Sequence, residues 1–138
     1  MDDTTLTRRI CRILARLPGW DGPELAKHAD ADVAIFYGAI GDKPDRAVGV
    51  RVYADVVRGD DARAARRIQL RFRGARGAPD DADQMASIAH AVLDGTARTD
   101  GVNAARRDSF TQLAADQNRR EQRSDNYLII IDNLEALT

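Results

Sequence analysis

Two neighbouring stretches of the chain alternate between apolar and polar residues, and this period of two constrains the fold more than any other feature. The first stretch places Val48, Val50, Val52, Ala54 and Val56 in alternation with Gly49, Arg51, Tyr53, Asp55 and Val57. The second places Ile68, Leu70 and Phe72 in alternation with Arg67, Gln69, Arg71 and Arg73. Successive side chains of a strand point to opposite faces, so each stretch predicts a β-strand with one buried face. The two strands follow each other closely, which favours an antiparallel hairpin.

The charged face of the second strand is the first candidate for a function. Arginines occur throughout RRIQLRFRGARG, residues 66–77, and the polar positions of this stretch share the face opposite Phe72. A nucleic-acid groove, an anionic substrate pocket, a subunit contact and an ordinary solvated face could each use such a surface. Stacking of bases is not available there, because the charged face has no interleaved aromatic residues.

The overall charge also weighs against a polyanion as the partner. The 138 residues include 21 Lys and Arg against 22 Asp and Glu, and the net charge is -1, so any contact with DNA has to be local. Planar guanidiniums pair well with carboxylates, and we therefore predict a contact between subunits, with a solvated face as the alternative. The predicted interface residues are Arg67, Gln69, Arg71, Arg73, Asp60, Asp61, Arg119 and Arg120.

Two segments show the spacing of amphipathic helices. In the first, Thr4 or Thr5 is the predicted N-cap, Pro18-Gly19 ends the helix, and the apolar stripe consists of Leu6, Ile10, Ile13, Leu14 and Leu17. The second runs from Asp80 to Leu93, and its predicted buried stripe consists of Ala82, Met85, Ile88, Ala89, Val92 and Leu93. Gly95 follows this predicted helix at the position where a glycine commonly ends a helix.

Three further strands are predicted at residues 33–37, 110–114 and 126–131. The polar segments 95–109 and 116–125 lack periodicity and are predicted to be loops that are mobile or form an interface. The order of elements predicts one α+β domain over residues 1–138. In it, a mainly antiparallel mixed sheet of about four to five strands packs against two amphipathic helices.

Residues with typical catalytic chemistry are few. The chain has two histidines, His28 and His90, one cysteine and no glycine-rich phosphate loop, so we predict no enzyme activity, no cofactor and no metal. Cys11 lies on the apolar stripe of the first helix and is predicted to be a small core residue. The aspartates at 80, 81 and 83 are explained by their place at a helix N-terminus, and the tripeptide Arg58-Gly59-Asp60 is attributed to chance.

No segment has the length and apolarity of a signal peptide or a membrane span. Residues 1–20 contain no uninterrupted apolar stretch, and the longest apolar run elsewhere, Tyr127 to Ile131, is far too short to cross a bilayer. We therefore expect a soluble protein that is not exported by this route and has no membrane partner.

The order of the motifs resembles that of a known family. An amphipathic N-terminal helix is followed by VGVRVYADV, IQLRFRG, the helix DQMASIAHAVLDG and the late strand SDNYLIII. Together they are similar to the tail terminator proteins of long-tailed bacteriophages, also described as minor capsid or tail-completion proteins. The resemblance covers nearly the whole chain.

The resemblance implies a structural virion protein without catalytic residues. It implies a hexameric ring that ends the tail tube, stops its polymerisation and offers a surface for joining the head, with DNA passing through the lumen without specific binding. The implied partners are the tail-tube protein and a head-completion or connector protein. The implied location is the tail end near the head, after assembly in the host cytoplasm. The alternatives are another head-tail connector or tail-tube ring protein, and a small nucleic-acid-binding protein using the Arg66–Arg76 strand.

Overall fold

The computed structural model describes residues 2–56, 63–94 and 102–132. Two α-helices lie in these ranges, α1 (Asp3–Leu14) and α2 (Asp81–Asp94). The strands are β1 (Trp20–Asp21), β2 (Val33–Tyr37), β3 (Ala47–Val56), β4 (Arg63–Arg76), β5 (Val102–Leu113) and β6 (Arg120–Asp132). A short 3-10 helix, His28–Asp30, precedes β2.

The six strands form one mixed sheet in the order β1-β2-β3-β4-β6-β5. The pairs β1–β2 and β2–β3 are parallel, and the other three pairs are antiparallel. The predicted α+β class is therefore confirmed, with six strands in place of four to five. The additional strand, β1, has only two residues and is too short to show an alternation in sequence.

The core lies between the sheet and the two helices, which both pack on one face. α1 covers β2 and β3, whereas α2 covers β4, β5 and β6. The apolar positions of the period-two stretches face the helices and are fully buried at Val48, Val50, Leu70 and Phe72. Burial of a large apolar side chain stabilises the fold by about 1.5–3 kcal/mol, so these positions hold the layers together.

The N-cap of α1 lies two to three residues before the predicted cap. Asp2 is the N-cap residue, and its carboxylate accepts a hydrogen bond from the backbone N–H of Thr5 at 2.7 Å. That bond lowers the pKa of Asp2, because it stabilises the charged form. The predicted caps, Thr4 and Thr5, instead lie within the first turn.

The stripe of α2 was predicted wrongly at one position. Met85, Ala86, Ala89 and Leu93 are buried against the sheet, but the side chain of Ile88 is 44% exposed. At about 100° per residue, Ile88 lies roughly 120° from the centre of the buried stripe. The predicted stripe was too wide because it counted every large apolar residue as buried.

Much of the two segments predicted as loops is in fact strand. Residues 102–109 belong to β5, and residues 120–125 belong to β6; residues 95–101, including Gly95, lie outside the described part of the chain. The register of β5 shifts between Val102 and Ala104 and again between Arg107 and Ser109. Each bulge reverses the alternation of the strand, which explains why residues 102–109 show no period in sequence.

The two sides of α2 can be compared by substitution. Met85→Ala is expected to lower the free energy of unfolding by about 2–5 kcal/mol, since it removes a fully buried side chain. Ile88→Ala is expected to change it by less than about 0.5 kcal/mol, because the side chain is substantially solvated. Urea unfolding followed by circular dichroism measures both. Equal losses in the two variants would contradict this placement of the helix.

Candidate subunit interface

The face of the sheet opposite the helices, here called the outer face, carries the polar positions of the alternating strands. Gly49 pairs with Arg71 and Arg51 pairs with Gln69 across the β3–β4 ladder, and directly opposite residues share a face. On the other side of β4, Arg71 pairs with Ser124 of β6. Neither α-helix of the described residues packs on this face, so the polar side chains around Arg71 are available to solvent or to a partner.

A groove of about 460 Å³ is open on the outer face. Residues 38–40 form one wall, and Arg51, Gln69, Arg71 and Gln122 contribute polar side chains to the lining. The wall lies directly on β3, because a Cβ atom at Gly49 would stand only 2.2 Å from the carbonyl oxygen of Gly38. Only glycine allows this approach, so Gly49 determines the shape of the groove.

Two guanidiniums in this groove have no acidic partner among the described residues. Arg71 donates from Nη2 to the amide oxygen of Gln122 at 3.0 Å, and neither Arg71 nor Arg51 forms an ion pair there. Both side chains belong to exposed residues. The groove therefore presents two positive charges whose pairing capacity is not used within the described chain.

Arg73 was predicted to belong to the same contact, and the structure gives it a different role. It is only 6% exposed. Its guanidinium donates to the backbone oxygens of Gly41, Pro44 and Asp45 at 2.8, 2.7 and 2.9 Å. Burial, followed by the nearby charge of Arg120, lowers the pKa of Arg73. The loop at residues 41–45 covers most of this arginine, so only a small part of it is left in the lining of the groove.

Arg120 is likewise buried within the chain, although it was predicted to be an interface residue. It is 4% exposed and pairs with Asp116 at 2.7 Å, Asp45 at 3.2 Å and Asp42 at 3.3 Å. Arg73 and Arg120 together connect the loop at residues 41–45 to the β5–β6 turn. The neighbouring Arg119 is exposed in that turn, with a left-handed φ of 59°.

The remaining predicted interface residues differ in their surroundings. Arg67 forms an ion pair with Asp108 of β5, and Gln69 lines the groove beside Arg71. The predicted acidic partners, Asp60 and Asp61, lie outside the described residues, as does the Arg58-Gly59-Asp60 tripeptide. Of the predicted set, the structure thus brings Gln69, Arg71 and the largely buried Arg73 into the lining of one groove.

Two residues of the groove were missed by the sequence reasoning. Arg51 occupies a polar position of the first alternating stretch, and pairing with β4 places it beside Gln69. The alternation placed Arg51 on the polar face of its strand, but only the register between β3 and β4 shows that it lies beside Gln69. Gln122 was missed because residues 116–125 were predicted to be a loop.

The other candidate chemical groups have structural contacts. Nδ1 of His90 lies 3.1 Å from the hydroxyl of Tyr127, and Asp81 accepts hydrogen bonds from Arg46 and from the backbone N–H of Ala75. Cys11 is buried, which raises the pKa of its thiol to about 12. Within the described ranges, no group of three or more His, Cys, Asp or Glu residues is placed to hold a metal ion.

The helices give no candidate for a membrane span. Neither α1 nor α2, the two α-helices of the described residues, is long and apolar enough to cross a bilayer.

Comparison with known proteins agrees with the resemblance predicted from sequence. The family model described as bacteriophage tail terminator protein matches residues 23–133, which is most of the chain. The protein belongs to the bacteriophage tail terminator family, so it is a structural component of the virion tail with a role in tail completion. A comparison with curated proteins gave no match.

Arg71 and Arg73 provide a test of the two roles of arginine on β4. Arg73→Ala is expected to lower the free energy of unfolding by more than about 2 kcal/mol, because it leaves buried carbonyl oxygens without donors. Arg71→Ala is expected to cost less than about 1 kcal/mol, since it loses only one exposed hydrogen bond. Denaturant unfolding measures both. A smaller loss for Arg73→Ala than for Arg71→Ala would show that the loop does not depend on the buried guanidinium.

Proposed function

We propose that this protein closes into a ring, of six subunits, at the end of the phage tail tube. The ring stops tube polymerisation and offers the surface to which the head, through its completion or connector protein, is joined. Membership of the tail terminator family is the observation that carries this proposal. The subunit works through binding alone and needs no catalytic group or cofactor.

The fold suits a subunit that makes contacts on several sides. Most of its large apolar residues pack between the helices and one face of the sheet, while the outer face carries the arginines and glutamines of the groove. The buried arginine contacts of Arg73 and Arg120 hold the loop at residues 41–45 in place before any partner arrives. A preformed surface loses less conformational entropy on binding than a flexible one.

The outer-face groove contacts acidic side chains of an adjacent tail subunit. Arg51 and Arg71 present guanidiniums without acidic partners in the described chain, and a carboxylate can accept two hydrogen bonds from one guanidinium. The walls of the groove partly exclude water, which makes a pair there stronger than a pair on an open surface. Asp60 and Asp61 of an adjacent subunit stay the predicted partners, and Arg119 adds a cation at the end of the sheet.

The near-neutral subunit also fits a ring through which DNA moves. A net charge of -1 gives no strong overall attraction for phosphates, so the lumen allows passage without specific binding. In this proposal the subunit assembles in the host cytoplasm and remains at the tail end near the head.

Charge reversal in the groove tests the interface. Arg51→Glu with Arg71→Glu should leave a folded subunit that no longer forms rings, and tail tubes should grow to uncontrolled length. Lys27→Glu with Lys43→Glu is the control: it makes the same change in net charge at two exposed residues outside the groove. Light scattering measures ring assembly, electron microscopy measures tube length, and thermal unfolding confirms the fold of each variant.

The outcomes separate the proposal from its alternatives. Normal rings formed by the groove variant would contradict the contact. If that variant also lost a salt-sensitive affinity for duplex DNA that the control retains, the groove would be a nucleic-acid surface instead. Rings that assemble along the tube, not at its end, would favour a tail-tube protein.

A further inference from the structure

Exposed apolar side chains mark two surfaces on the helix side of the molecule. Within the described ranges, five large hydrophobic residues are exposed: Leu25, Tyr37, Tyr53, Ile88 and Phe110. Four of these five lie in the two surfaces defined below, and the fifth, Tyr53, lies elsewhere on the sheet. Single exposed hydrophobic residues are common, but grouped ones mark interaction sites.

The first surface, here called the α1 groove, lies beside the β1 edge of the sheet. It is an apolar groove of about 400 Å³ between α1 and residues 22–25. Leu25 and Tyr37 form apolar parts of its lining, and both are exposed, at 52% and 41%. Arg8 and Arg12 line it as well, against the single acidic Glu24, so its rim has a positive balance.

The second surface, here called the α2–β5 ridge, lies on the other half of the sheet. Ile88 of α2 is 44% exposed and Phe110 of β5 is 52% exposed. Asp83 lies close to both: it lines the same shallow depression as Ile88, and it bonds Gln112, which lies two residues after Phe110, at 2.6 Å. Asp80 lines the depression too, so the acidic groups lie beside the apolar ones.

Two arginines near Phe110 do not reverse this acidic character. The guanidinium of Arg123 lies 4.0 Å from the centre of the Phe110 ring, but it is bonded to Asp125 at 2.7 Å and to Asp83 at 3.1 Å. Arg107 is farther from the ring, at 5.9 Å, and also contacts Asp125. Their charges are paired within the chain, whereas the exposed Asp80 accepts a hydrogen bond from Nε2 of Gln84 at 3.1 Å and has no ion pair among the described residues.

The two surfaces are complementary and lie on opposite edges of one sheet. β1 and β5 are the edge strands, separated by five strand spacings, which is about 24 Å. A molecule with complementary surfaces on opposite sides assembles head to tail, and a suitable rotation closes such an assembly into a ring. We propose that the α2–β5 ridge of one copy docks into the α1 groove of the next copy. Phe110 and Ile88 then meet Leu25 and Tyr37, while Asp80 approaches Arg8 and Arg12.

This contact rests on the proposed ring, and it adds the α2–β5 ridge and the α1 groove to the outer-face groove as surfaces through which neighbouring copies meet. It also accounts for Ile88, a large apolar residue on a well-formed helix that the core does not use. Apolar anchors at the centre and charges at the rim are the usual arrangement of a protein interface.

Two single substitutions, one on each surface, test the contact. Leu25→Glu places a charge in the α1 groove and leaves the α2–β5 ridge intact. Phe110→Glu places a charge on the α2–β5 ridge and leaves the α1 groove intact. Each purified variant should be monomeric, with self-association weakened more than about tenfold. An equimolar mixture should form a dimer of one copy of each and nothing larger, because only one intact pair of ridge and α1 groove remains. Tyr53→Glu, at a residue 48% exposed outside both surfaces, is the control and should assemble as the unchanged protein does.

Light scattering over a concentration series and thermal unfolding of each variant give the readout. If the unchanged protein forms rings and both Glu variants form them equally well, the α2–β5 ridge and the α1 groove are not the contact. The proposal of a ring is then still supported. Two monomeric variants whose mixture gives no dimer would also overturn the contact, because the surfaces would not be complementary. If the unchanged protein stays monomeric at every concentration, the proposed ring and the contact between copies both fail.

Discussion

The pairing of β4 with β3 on one side and β6 on the other determines which side chains of this protein are buried. β4 is the central strand, and a shift of its register by one residue would move Ile68, Leu70 and Phe72 to the outer face. α2 depends on the apolar face that this register produces, because it packs on β4 and β6, whereas α1 packs on β2 and β3. The same register places Arg51 and Arg71 beside Gln69 and Gln122, so the groove and the core follow from one alignment of strands.

Buried charge explains why the arginines of β4 have different roles. A guanidinium needs several acceptors when it leaves water, and Arg73 finds them in backbone carbonyls, whereas Arg120 finds them in three aspartates. Nothing in the period-two pattern separates Arg71 from Arg73, because both occupy the polar phase of the strand. The difference comes from the loop at residues 41–45, which covers one position and leaves the other open.

The sequence pattern predicted the parts of the fold that bury a regular stripe, and it missed those that do not. The strands around Val50 and Leu70 have an uninterrupted alternation, and their pairing was predicted from it. β5 was largely missed because its two bulges interrupt the alternation, and β1 because two residues have no period. Of the predicted interface, Gln69, Arg71 and Arg73 line one groove, but the burial of Arg73 and Arg120 could not be predicted without knowledge of distant loops. Residues such as Asp42 and Arg120, which are far apart in sequence, meet only through the folded chain.

The bulges of β5 make this edge of the sheet less able to pair with another strand. A long edge strand offers unpaired backbone groups to any other strand, and proteins that accumulate before assembly risk joining through such edges into fibres. β5 carries two bulges in twelve residues, with arginines at Arg106 and Arg107 between them. Bulges twist an edge away from a straight partner, and charges on it disfavour a second copy of the same edge. The irregularity that hid β5 in the sequence therefore makes edge-to-edge pairing of two copies of the chain less favourable.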